Sequence, residues 1–331
     1  MAVFVAIAVL ILVRLNAGQQ KSSDNTGSRP VSSAVKSGSS SKQPPKDNSS
    51  AANESELVSE PEKTPEQAGS STPAKPSSSA SAVPQPTVPV PDTMPKQDIS
   101  SPALSAQARA YLNSLSNKRD GYGWKGAENR QSYYSQYNAY SVGDRTKKCV
   151  YLTFDEGYEN GYTPKILDVL KEKNVKAVFF ITMDYLKTHP ELVERMIDEG
   201  HTVGNHSVTH PDMTTKDIDS AYKEIKGLHD AVKERFGYEM NLFRFPTGAN
   251  SPRMLALVNC VGYKSVFWNF AHRDWDPKNQ PSVEETKSLI MKYLNNGTLY
   301  LLHAVSSADT SALPDVIDSI RANGYTIELF K

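Results

Sequence analysis

From Lys148 to the C-terminus the chain alternates short apolar runs with stretches of helical spacing, and this alternation restricts the fold more than any other feature. Val150–Phe154, Ala177–Thr182, Thr202–Gly204, Leu242–Phe245, Ser265–Trp268, Thr298–Leu302 and Tyr325–Leu329 read as strands. Between them, Thr163–Lys173, Pro190–Glu199, Thr215–Phe236, Pro252–Val258, Val283–Leu294 and Thr310–Ala322 read as helices. Gly200 and Gly324 follow helices, and Pro190 and Pro252 stand where helices begin. Strand–helix alternation implies βα units with parallel strands. About seven such units imply an α/β fold, a distorted and incomplete (β/α) barrel of roughly 180 residues.

The upstream third reads differently. Ala2 to Val13 is an apolar run of about a dozen residues, short of the roughly 20 that span a bilayer. Arg14 interrupts it, Leu15-Asn16-Ala17 offers a small-residue cleavage site, and no basic residue precedes it. Residues 1–17 are therefore expected to be a signal peptide or a truncated membrane anchor, and the protein to be exported, with the N-terminus as a membrane tether in the second case. Residues 18–100 are rich in Ser, Pro, Lys, Ala and Gln, with almost no aromatics. Too little apolar surface is present to offset the entropy of ordering, so a disordered linker is expected. Residues 101–147 form an N-terminal extension, helical in spacing from Pro102 to Leu115 and then aromatic at Tyr122, Trp124, Tyr133, Tyr134, Tyr137 and Tyr140. Packing is the expected use of these rings, and a sugar-binding surface the alternative. Residues 148–331 are expected to form the folded domain that carries this strand–helix alternation.

Lys+Arg and Asp+Glu both number 37, so no broad cationic field exists and nucleic acid is excluded as a partner. Cys149 and Cys260 are the two cysteines; without a CxxC, thiolate zinc and dithiol redox sites are excluded. Two buried thiols are expected, with a disulfide as the alternative in an exported chain. A monomer is expected.

Polar residues fall where the strands end. Asp155 and Glu156 follow the first strand, His206 and His210 the third, and Arg244 closes the fourth. Asp274 and Trp275 lie just beyond the fifth, and His303 follows the sixth. The C-terminal ends of barrel strands open on one face, so these scattered residues converge on one cleft. His206 and His210, four apart, would point to one side of a helical turn, as metal ligation needs. A carboxylate from Asp155 or Glu156 would complete a two-His, one-carboxylate set with positions left for water and substrate. His189, His201, His229 and His272 lack such company and read as structural or solvated.

These residues resemble the motifs of the NodB-type polysaccharide deacetylases, carbohydrate esterase family 4. Thr153-Phe154-Asp155-Glu156-Gly157 resembles TFDDG, and His206–His210 matches HSxxH. Arg244-Phe245-Pro246-Thr247-Gly248 resembles RxPxG, Asp274-Trp275 the DW motif, and Leu301-Leu302-His303 the terminal LxH. The segment Asp155–Thr163, the run Gly204–Thr214 and the tail Leu302–Ser306 resemble the branch of sporulation peptidoglycan deacetylases that makes muramic δ-lactam. Two motifs depart from the pattern: Glu156 replaces the second Asp of the first, and Phe245 and Thr247 replace Pro and an aromatic in the third.

The resemblance implies a hydrolase that removes acetyl groups from N-acetylmuramic acid in peptidoglycan glycan strands, in the cell wall or spore envelope. It implies a divalent ion, zinc first and manganese or cobalt as alternatives, on His206, His210 and Glu156. It also implies Asp155 as general base beside Arg244, and His303 as general acid supported by Asp274. A backbone N–H within Phe245–Gly248 would meet the oxyanion, with Pro246 shaping that turn, and Trp275 and Leu301 would hold the acetyl methyl. A GlcNAc or chitooligosaccharide deacetylase of the same fold, and a non-catalytic wall-glycan-binding protein, are the alternatives.

Overall fold

The computed structural model describes residues 94–331. The expected leader at 1–17 and residues 18–93 of the Ser/Pro-rich segment lie outside them. Among the described residues no helix is long and apolar enough to cross a membrane. The end of the expected linker is not free: Gln97 N–H donates to Cys260 O at 2.7 Å, and Met94 packs on the core.

Helix α1 (Ala106–Ser114) is capped by Ser105, whose hydroxyl accepts from the Ala108 N–H. α2 (Ala127–Ser135) and the short strand β1 (Ala139–Tyr140) follow, neither foreseen as an element. Then come β2 (Cys149–Glu156), α3 (Thr163–Glu172), β3 (Val178–Ile181), α4 (Met183–Thr188), α5 (Pro190–Asp198) and β4 (Thr202–Asn205). α6 (Ile218–Phe236), β5 (Leu242–Phe243), α7 (Pro252–Cys260), β6 (Lys264–Val266), α8 (Val283–Lys292), β7 (Thr298–His303), α9 (Ser307–Ala322) and β8 (Thr326–Ile327) complete the chain.

The helix boundaries follow local chemistry. Asp217 caps α6 through the Ser220 N–H at 2.9 Å, and Gly237 closes that helix in the left-handed region. Ser282 and Glu285 form a reciprocal capping box on α8. α6 starts later than its periodicity suggests because Met213–Thr215 is a separate 3-10 turn.

All strand pairs are parallel, in the order β1-β6-β5-β4-β3-β2-β7, with β8 joined to the start of β2. The sheet curls. The segment after β6 returns to β7, where Asn269 N–H donates to Leu299 O and Leu301 N–H to Phe270 O. This irregular closure makes the distorted, incomplete barrel expected from the alternation, with β1 added.

Residues on β2 alternate between two layers, as a strand requires. Cys149 and Tyr151 point inward to a small core with Val178, Phe180, Leu242, Val266 and Leu299. Val150, Leu152 and Phe154 point outward beneath the helices. Both cysteines are free and buried. The N-terminal aromatics pack: Tyr122 and Tyr134 stack on Phe267 at 4.6 and 4.8 Å.

Candidate functional site

The odd-numbered face of β2 carries Thr153 and then Asp155 into the barrel mouth. Arg244, fully buried, binds both from β5's end: Nη1 donates to Asp155 Oδ1 at 2.8 Å and Nη2 to Thr153 Oγ1 at 2.8 Å. Its Nε donates to Val266 O at 3.0 Å, and the guanidinium lies 4.2 Å over the Phe180 ring. Every donor direction is therefore set by the fold, which makes this a fixed ion pair rather than a mobile one. Burial alone would raise the Asp155 pKa, but Arg244, then His206 and His303, outweigh it and hold the carboxyl below its ordinary value.

His206 ends β4's run into the cleft. Its Nδ1 donates to Arg244 O at 2.9 Å, which leaves the Nε2 lone pair facing Asp155 Oδ2 at 3.5 Å. Burial, with His210 also contributing, lowers its pKa to about 4, so the ring is neutral. His210 is not on a helical turn. Ser207 and His210 both take left-handed backbone, with φ of 72° and 54°, and the loop is tied down from α6. Thr209 donates its N–H and its hydroxyl to the Glu224 carboxylate at 2.8 and 2.7 Å. The two imidazole rings still meet, edge to face, with centroids 4.7 Å apart.

Glu156 is not brought to these histidines. It is the next residue of the same strand, so it faces the helix layer. Its Oε2 accepts from Thr163 Oγ1 at 3.2 Å, and Oε1 is buried without a hydrogen bond. Burial, then Glu159, pushes its pKa well above the ordinary value, so the carboxyl is held neutral. Of the expected ligand set, the two imidazole rings are in contact and this carboxylate lies elsewhere. The donors that do converge, two imidazoles with one ring tautomer fixed by a carbonyl, fit a divalent ion with further positions open.

His303 stands beside Asp155 as its register partner on β7. Asp274, completely buried, grips it twice: His303 Nδ1 donates to Oδ1 and His303 N–H to Oδ2, both at 2.7 Å. Burial opposes the imidazolium, but Asp274, then Asp155 and Asp309, raise its pKa to about 9. Burial likewise opposes the Asp274 carboxylate, and His303 lowers that pKa to about 2. The cleft therefore presents an ionised carboxylate and a protonated imidazole across one gap.

Leu301 is buried one inward step below His303 on β7, whereas Trp275 is 42% exposed on the rim, with Arg273 5.1 Å over its indole. Phe245, Pro246 and Gly248 are buried, and Thr247 sits at φ 56°. Gly248 N–H is committed to Phe245 O at 2.9 Å, and Pro246 has no N–H, which narrows the backbone donors of this turn to Phe245 and Thr247.

The sequence marks His272 only by its nearness to Asp274 and does not mark Asp309. His272 is not simply structural or solvated: with Asp274 and Asp309 it forms a trio whose ligand-type atoms lie within 4.8 Å of one another. Asp309 was passed over. Its only signal was a place three residues after Ser306, the N-cap of α9. His201 and His229 do serve the core, accepting from Ala177 N–H and pairing with the Tyr263 hydroxyl.

A family model described as polysaccharide deacetylase matches residues 142–266. The chain is 39% identical over 235 residues to the peptidoglycan-N-acetylmuramic acid deacetylase PdaA of Bacillus subtilis strain 168, spanning 68% of this chain and 89% of that protein. The solved structure of Bacillus subtilis PdaA, a family 4 carbohydrate esterase, aligns with a TM-score of 0.63 at 38% identity, over 65% of this chain and 96% of that one. A family 4 carbohydrate esterase from Bacillus anthracis aligns with a TM-score of 0.56 at 39% identity, over 65% and 95% of the two chains.

Proposed function

This chain belongs to the polysaccharide deacetylase family, carbohydrate esterase family 4, and on that premise we propose that it removes the acetyl group of N-acetylmuramic acid in peptidoglycan glycan strands. It is a hydrolase of a linear amide C–N bond. Retention of Asp155, His206, His210 and His303 together counts against the purely glycan-binding alternative. The observation that carries the mechanism is the register pair Asp155 and His303, two neighbouring groups whose surroundings drive their pKa values apart.

Asp155, kept ionised by Arg244, takes a proton from the attacking water. The oxyanion that forms on the acetyl carbonyl is met by the backbone N–H of Phe245 or Thr247. His303, protonated near neutral pH, gives its proton to the sugar nitrogen as the C–N bond breaks. Asp274 keeps the ring oriented and charged through that step. Leu301 forms the apolar floor for the acetyl methyl, with Trp275 on the rim above. A divalent ion would be held by His206 and His210 and, when bound, supplies Lewis-acid polarisation of the carbonyl and a more acidic water; zinc suits imidazole donors, with manganese and cobalt as alternatives.

Similarity to a muramic-acid deacetylase along nearly its whole length supports muramic acid over GlcNAc. The freed amine would then be available to close on the lactyl carboxyl as a δ-lactam. Such a substrate lies outside the membrane, and the apolar run at 2–13 with the Ser/Pro-rich segment supports export, with the leader either cleaved or kept as a tether. The test is acetate release by the full chain from glycan strands lacking stem peptides, side by side with chitin oligomers. Release from the former alone is expected. Release from chitin oligomers alone would replace muramic acid with GlcNAc, and unchanged release after chelation and in His206→Ala would remove the metal.

A further inference from the structure

We propose that His272 and Asp309 are positioning residues for the acid: a second imidazole–carboxylate pair that holds Asp274 in the place from which it orients His303. The inference rests on the deacetylase reading of His303 and extends the machinery one layer inward.

Asp274 cannot be steadied by solvent, because it is fully buried. Both of its oxygens are already used by His303, so its remaining support comes from behind. There His272 Nε2 lies 3.7 Å from Asp274 Oδ2 and 3.1 and 3.2 Å from the two oxygens of Asp309. The His272 and Asp309 side chains are also buried, at 5% and 2% exposure. Two buried acids this close cannot both ionise freely: burial, then Asp274, pushes the Asp309 carboxyl up to about 8, and the His272 hydrogen bond opposes that rise. The His272 ring thus stands against both acids.

The surrounding backbone is latched in the same way. Gln280 Nε2 donates to Asp274 O at 2.7 Å, and Ser306 Oγ bonds Gln280 while accepting the Asp309 N–H at 3.0 Å. The loop after β6 and the start of α9 are thus clasped around one carboxylate. The charged groups facing the His303 ring are Asp155 from β2, Asp274 and His272 from the loop after β6, and Asp309 from α9.

Asp309 is pushed up to about 8 and His303 to about 9, so Asp309 is ionised where His303 titrates, and its charge there gives a specific expectation. Asp309→Asn leaves the His272 cation facing Asp274 without its own counterion. Asp274 then supports the His303 cation less well. The double variant His272→Gln with Asp309→Asn removes one charge of each sign and keeps an amide pair of similar shape.

The experiment follows full-chain acetate release against pH, together with ring-nitrogen NMR titration of His303, identified by its loss in His303→Gln. In Asp309→Asn the basic limb of kcat/KM and the His303 titration should both move down by about one pH unit, with KM within about twofold. The double variant should return both to within about a third of a unit of the parent. An unmoved limb and titration in a folded Asp309→Asn protein would overturn the proposal, as would failure of the double variant to restore them. Equilibrium dialysis with zinc or manganese that finds one bound ion fewer in the double variant would also overturn it, making the trio a metal site. If no glycan yields acetate, the functional reading falls, and the NMR titration alone decides the pairing.

Discussion

Asp155 and Glu156 are adjacent acids with opposite fates. One is ionised in the cleft by Arg244; the other is neutral beneath a helix, with one oxygen unsatisfied. A buried carboxyl whose folded pKa is raised binds its proton more tightly in the folded state. Its contribution to stability is thus full below the unfolded value of 4.5 and is lost as pH rises toward the raised folded value. Glu156→Gln keeps the shape and abolishes the titration. Urea denaturation should find it as stable as the parent near pH 4, and increasingly more stable toward pH 8, by about 1–3 kcal/mol. Acetate release should persist within a few-fold; collapse of release with unchanged stability would return Glu156 to the metal. The orientation was legible in principle. Strand alternation forbids neighbours from sharing a face, but the strand was read as ending at Phe154, which freed both acids to turn inward.

At the level of elements, the chemistry-bearing residues could be placed because strand ends are readable from apolar runs. What lies between strands could not. The His206–His210 turn was read as helical from spacing alone, whereas two left-handed residues and the Glu224 carboxylate shape it as a loop. Glu224 lies on α6 and reaches the loop beside His210 only in the fold. Replacing it with Ala frees the Thr209 N–H and hydroxyl together. A loss of about 1–3 kcal/mol in urea midpoints is expected. The apparent affinity for zinc, read by competition with a chelator, should fall about tenfold or more because the second imidazole is no longer held. Unchanged zinc affinity would show that the loop holds its shape without α6. Asp309 was hidden for a related reason. Its partners come from a loop of irregular backbone, and no periodicity announces a carboxylate that turns back from a helix start.

The whole molecule was foreseen in its parallel barrel and missed in its edges. β1 and α2 come from a stretch too aromatic and too short in period to declare an element, yet Tyr134 of α2 stacks on Phe267 and β1 pairs with β6. The balance of acid and base stability is also a property of the assembled fold. His303 has a folded pKa of about 9 against 6.5 unfolded, so its contribution is full below about 6.5 and is lost as pH rises through about 9. Asp274 has about 2 against 3.8, so its contribution is full above about 3.8 and is lost as pH falls through about 2. Both describe one interaction, at full strength from about pH 4 to 6.5. Asp274→Asn should therefore cost most stability near pH 5 and least near pH 10, as read by urea denaturation at the two values. An equal deficit at both would mean that Asp274 acts through packing rather than charge.

The pairing of β2 with β7 has a consequence for how the protein is made. Asp155 and His303 are register partners, yet about 150 residues separate them along the chain, and loop closure over such a span is slow. During synthesis, the strand bearing Asp155 emerges long before the strand bearing His303. Until that late arrival docks, the early strand has an unpaired edge and the carboxylate has no proton donor. Hydrolytic competence is in this sense a certificate of completion: only a chain whose last strands have been delivered and seated can hydrolyse an amide.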